Sequence, residues 1–135
     1  MTIQFSGAVR DASNDAIEAT IGTSAILEIR SGAAPASCAA ADSGTVLATL
    51  NLPSDWMAAS SGGVKSKSGT WEDTSADAAG TAGHFRIKNS GGSTCHVQGT
   101  ITATGGGGDL QLDNTNIAAG QQVTITAFSF TAGNA

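Results

Sequence analysis

Residues 81–103 read TAGHFRIKNSGGSTCHVQGTITA. His84, Arg86 and Lys88 alternate with Phe85 and Ile87, and after Asn89-Ser-Gly-Gly-Ser93 the alternation resumes. Cys95, Val97 and Ile101 take one side; Thr94, His96, Gln98, Thr100 and Thr102 take the other. A period of two with one polar side predicts two half-buried antiparallel strands whose polar side is wet. The glycines between them provide the positive φ of a tight turn.

On the N-terminal side of this hairpin, residues 5–21 carry the one helical pattern. Ser6 is placed to N-cap it, and Gly22 to end it in a left-handed conformation. Phe5, Val9, Ala12, Ala16, Ile17 and Ile21 share a face at spacings of three and four, with Asp11, Asp15 and Glu18 elsewhere. Such a helix fits two uses: packing on its own sheet, or lying as an arm on a neighbouring subunit. Strands follow. Residues 24–31 turn Ala25, Leu27 and Ile29 one way and Glu28 and Arg30 the other. Residues 32–44 have no period and contain Pro35, so they read as a loop. Residues 45–52 form a strand that Pro53 stops, because proline has no N–H. Trp56, in the corner 52–57, fits a core plug or a binding platform. Residues 64–71 read as a weak strand with Lys65 and Lys67 on one solvated or edge side.

Beyond the hairpin, Gly105–Gly108 is a loop, and Leu110 and Leu112 face inward. Residues 121–131 form a late strand. Val123, Ile125 and Ala127 share one face while Phe128 and Phe130 take the other, which predicts a bulge or a strand end covered on both faces. About seven or eight strands after one helix predict a mainly β fold, an antiparallel β-sandwich with jelly-roll-like topology. Residues 1–135 read as one domain, with an N-terminal arm and helix at about 2–21.

The net charge is -5, from 11 acids and 6 scattered bases. Without a basic stripe, a nucleic-acid partner is not expected. No apolar run approaches the roughly 20 residues of a membrane span. The opening MTIQFSGAVRDASND lacks the pattern of a signal peptide, so synthesis in a cytoplasm is expected. Cys38 and Cys95 are then expected to be free thiols. Aromatic residues make up 4% of the chain and tyrosine is absent. Small core side chains bury little area each, which points to stability gained by association with copies of itself or a partner.

No chemistry assembles from the motifs. Gly105–Gly108 lacks the Lys-Ser/Thr and the helix of a phosphate loop. Cys95 and His96 are adjacent in a strand and point to opposite faces. His84 and His96 could face each other across the hairpin, giving two ligands where structural zinc takes four. Nothing sets Glu72, Asp73, Asp109 or Asp113 as acid against base, and no Gly-x-Ser-x-Gly elbow occurs. No catalytic residue, metal or cofactor is expected.

The phrases MTIQFSGAVRDASNDAIEATIGTSAILEIRSGAAP, GTVLATLNLPSDWM and GTAGHFRI…TCHVQGTITATGGGGDLQLDN resemble a family of small proteins encoded in tailed-phage and prophage genomes. The resemblance covers nearly the whole chain. It implies a virion structural component, foremost a head decoration (cement) protein, with the major capsid protein and copies of itself as partners. Ile3, Phe5 and Val9 are the candidate contacts, since a short apolar stretch at a chain end extends easily onto a neighbour. Trp56 is the next, because tryptophan is enriched among interface anchors. The competing expectation is a carbohydrate- or receptor-binding tail or fibre module. It suffers from a shortage of aromatic platforms, with only Trp56 and Trp71 to serve.

Overall fold

The hydroxyl of Ser6 accepts the Val9 N–H at 3.3 Å and so starts the one helix, α1 (Gly7–Ile21). Gly22 ends it at φ 92°. The computed structural model describes residues 3–134. Thr2, where the expected arm begins, lies outside the described residues, as do Met1 and Ala135. Among the described residues, ten strands follow the helix: β1 (Ile26–Ser31), β2 (Val46–Asn51), β3 (Val64–Ser66), β4 (Trp71–Asp73), β5 (Gly80–Lys88), β6 (Cys95–Ala103), β7 (Leu110–Leu112), β8 (Asn116–Ile117), β9 (Val123–Ile125) and β10 (Ser129–Thr131). The fold is mainly β with one helix, as the periodicity predicts.

The main sheet runs β2-β1-β5-β6-β7, with β8 paired to the start of β5. Its register stacks the apolar alternates. Leu27 lies between Leu50 and Ile87, and Ile29 between Ala48 and Phe85. Two short ladders, β3 with β10 and β4 with β9, complete the strand pairing. Aromatic rings link the main sheet to β4. Phe128 packs 5.6 Å from Phe85 of the main sheet and 5.5 Å from Trp71 of β4, and Trp71 in turn lies 5.9 Å from Trp56. Trp56, Trp71, Phe85, Phe128 and Phe130 thus form one chain of ring contacts, while Phe5 stands apart and exposed.

Several expectations need correction. The polar side of the 81–103 hairpin is wet only in part: His84, Arg86 and Lys88 are buried, while Thr94 and Thr100 are exposed. The loop 32–44 lies across them, held by the hydrogen bonds described below. Alternation reports which residues share a face but not whether another segment covers it. Cys95 does not share a side with Val97. Ile87 pairs with Val97 and Lys88 with Cys95, so His96 is an extra, bulged residue that turns Cys95 to the polar face. The two histidines therefore do not face each other; His84 pairs with Thr100.

The sheet is not wholly antiparallel, since β7 runs parallel to β6, Ile101 beside Leu110. The glycine run permits this return. A Cβ at Gly106 or Gly108 would come within 2.7–2.9 Å of Thr102, which the loop packs against. The stretch 64–71 divides between β3 and the start of β4. Lys65 is buried rather than solvated, because α1 covers it. The late stretch 121–131 also divides. β9 pairs with β4 and β10 with β3, and the change of partner falls at the change of face foreseen from Phe128.

Candidate partner-binding surface

The helix is docked by its polar face. Asp11 Oδ1 accepts the Gly63 N–H and the Ser60 hydroxyl, both at 2.8 Å. The buried Asn14 amide donates to Gly63 O at 2.8 Å and to Ser60 Oγ at 3.1 Å. Asp15 and Glu18 pair with Lys65 Nζ at 2.7 and 3.2 Å, and Glu18 also accepts the Met57 N–H. The Lys65 hydrogen bond, followed by the Ser60 N–H, lowers the Asp15 carboxyl below its ordinary range. Burial alone would pull Lys65 down, but its hydrogen bonds to Asp15 and Glu18 raise it overall.

The apolar face is consequently left outward. Phe5 is 44% exposed, Val9 47% and Ile3 74%; Ala12 and Ala16 are exposed too. Only Ile17 and Ile21 of that stripe meet the core. Backbone contacts gather the exposed residues at one end of the molecule. Phe5 N–H donates to Asn134 O at 2.6 Å, Arg10 Nε to Ala132 O, and Ala132 N–H to Gly63 O. Val64, the next residue, is also exposed, at 39%. The sequence hid Val64 because it sits beside Lys65, whose burial reverses the expected orientation of β3.

Trp56 is not part of this surface. It is 0% exposed, and its indole N–H donates to Gly22 O at 2.9 Å. Of its two readings, the core plug is the one the burial matches.

The polar face of the main sheet holds a second assembly that the sequence reading missed. Asp42, on the loop 32–44, pairs with Arg86 at 2.6 Å, Lys88 at 2.7 Å and Arg30 at 3.2 Å. Glu28 pairs with Arg30 at 2.9 Å and Lys88 at 3.0 Å. Arg86 also donates to Ser37 O, Ala40 O and the Gln98 side chain, and Gln98 donates to Pro35 O at 2.7 Å. These bonds hold the loop down. The Lys88 hydrogen bond is the largest of the influences that lower Asp42 to about 2, against an opposing contribution from burial. Beside the cluster, burial and then a hydrogen bond with Cys38 push the Cys95 thiol up to about 12. His84 Nδ1 lies 2.9 Å from Gly32 O, while its buried Nε2 has no partner among the described residues. Among the described residues, no group of three or more His, Cys, Asp or Glu is arranged to hold a metal.

A polar cleft of about 470 Å³ lies between β7 and β9, lined by Gln111, Asp113, Asn114, Gln122, Thr124 and Thr126 among others. No aromatic ring lines it.

Comparison with family models, with curated proteins and with solved structures yields no match.

Proposed function

We propose that this chain is a non-enzymatic phage virion structural protein that binds and stabilises the exterior of the capsid, acting as a homo-oligomer. The observation that carries the reading is the inverted helix. α1 spends its polar side chains on the body of its own molecule and turns Val9, Ala12 and Ala16 outward, with Phe5 exposed just before its cap. Fully burying a Phe, Val or Ile side chain is worth about 1.5–3 kcal/mol. A helix that forgoes this gain is suited to recover it against a neighbour. Ile3, Phe5 and Val9 are then the contacts with the major capsid protein or a second copy. The virion is the location. The family resemblance supports the same assignment. The finer architecture belongs to this reading as well: an antiparallel sandwich of jelly-roll type, supported by the aromatic contacts between the main sheet and the two ladders.

The test uses bare heads and purified protein. Wild type should bind and raise the resistance of heads to heat. The triple variant Ile3→Gln, Phe5→Gln, Val9→Gln should fold normally and bind at least about tenfold more weakly, a loss of roughly 1.4 kcal/mol. Failure of the wild-type protein to associate with heads would sink the reading. The polar cleft favours the alternative, a tail or fibre module taking a carbohydrate or receptor. Saturable binding of glycans, lost on Gln122→Ala, would put that reading in its place.

A further inference from the structure

We propose that Cys38 and Cys95 form an oxidation site, closing to an intramolecular disulfide by exchange with a low-molecular-weight disulfide. Both are free thiols in this structure. Three features bring them together. The bulge at His96 turns Cys95 to the polar face, opposite Lys88. Arg86 then fixes the backbone around Cys38, donating to Ser37 O at 2.9 Å and Ala40 O at 3.1 Å, while the Ala40 N–H closes a turn onto Ser37 O. Finally, both cysteines line one cavity of about 350 Å³, walled on the loop side by Ala39, Ala40 and Ala41. Small side chains there leave the Cys38 thiol room to swing onto Cys95.

The exchange balances in two steps. A cysteine thiolate attacks the small disulfide, forming a mixed disulfide and expelling one small thiolate. The second cysteine gives up its proton and attacks the mixed disulfide at the protein sulfur, expelling the second small thiolate. The small disulfide is reduced to two thiols as the protein pair is oxidised. The raised Cys95 thiol makes closure slow near neutral pH and faster in base. The bridge staples the loop 32–44, the cover of the charge cluster, to β6. It stabilises mainly by restricting the unfolded chain. Under the virion reading, closure would follow release from a reducing host interior to oxidising surroundings. That timing rests on the proposed function; the chemistry does not.

The full chain is incubated with oxidised glutathione at about pH 8.5, where thiolate is more abundant. It is then alkylated and read by intact mass and peptide mapping. The expected product is a monomer lighter by two hydrogens, without alkyl groups, with the peptides of Cys38 and Cys95 linked. Its thermal midpoint should rise by at least about 5 °C, and Cys38→Ser should show neither the link nor the rise. Two alkylated thiols, a separate glutathione adduct on each cysteine, or a disulfide-linked dimer would each overturn the proposal. Head binding is scored in its own assay, so failure of either result leaves the other standing.

Discussion

Gly92 and Gly91 are neighbours in the 89–93 turn with different duties. Gly92 sits at φ 69°, and its N–H closes the turn onto Asn89 O at 2.9 Å. Gly91 has an ordinary φ, and a Cβ there would meet only Ser93 Oγ, at 4.0 Å. Gly92→Val should cost about 1–3 kcal/mol, since a β-branched residue is strained at positive φ. Gly91→Val should stay within about 0.5 kcal/mol. Urea denaturation of the two single variants separates them; equal losses would mean the turn does not depend on Gly92. The Asn-Ser-Gly-Gly pattern identifies the turn but not which glycine is left-handed, because that follows from the register of the flanking strands. Gly99 illustrates the same limit. It lies opposite Phe85, where a Cβ would come 2.8 Å from the ring and 2.8 Å from Asp109 Oδ2. Its smallness serves a contact across the sheet that no local motif records.

In α1 the boundaries follow from local chemistry, while the docking face does not. The Ser6 cap and the Gly22 stop both stand where the sequence places them. The apolar stripe suggests that Phe5, Val9 and Ala12 face the body, yet Asp11, Asn14, Asp15 and Glu18 do so instead. Each finds a hydrogen-bond partner on 57–65, a segment distant in sequence: the carboxylates accept and the Asn14 amide donates. Asn14→Ala should therefore cost about 1–3 kcal/mol, because it removes two hydrogen bonds made by a buried amide, to Gly63 O and Ser60 Oγ. Ala12→Gln, on the outward face, should change stability by less than about 0.5 kcal/mol. Thermal or urea unfolding of both variants checks the orientation; the reverse ranking would mean that the helix packs by its apolar face. The loop 32–44 behaves similarly. It has no period, and its order comes from Asp42 and from carbonyls that Arg86 and Gln98 engage. Asp42→Asn leaves three cations facing one carboxylate. The cost should be about 2–3 kcal/mol, reduced from that of a fully buried pair because Asp42 is partly open to water.

The whole molecule should lose stability in acid through these carboxylates. Asp42 titrates at about 2 in the folded chain against an ordinary 3.8, and Asp15 is also lowered. The unfolded chain binds protons first as the pH falls, so stability drops with falling pH. The Asp42 contribution is fully present above pH 3.8 and is lost as the pH approaches about 2. Lys65 and Lys88 are raised by their acid partners, against the pull of burial. Their contribution is present at neutral pH and is lost only in strong base, as the pH rises through their folded values. Unfolding midpoints measured from neutral to strongly acid pH should fall across the Asp42 window. Asp42→Asn should start lower and fall less steeply; an identical slope in the variant would remove Asp42 as a source of the acid response.

Alternation and punctuation alone specify a mainly β chain with one N-terminal helix, a turn at 89–93 and a strand change near Phe128. These are local features, set by side-chain period, caps and backbone φ. Whether a polar face is wet depends on what lies over it, and here a loop covers Arg86 and Lys88 while a helix covers Lys65. The bulge that moves Cys95 beside Cys38, and the outward face of α1 with Ile3, Phe5 and Val9, likewise depend on pairing between residues far apart in the chain. Such pairing is a balance of long-range hydrogen bonds, ion pairs and burial, and it exists only once the segments have met.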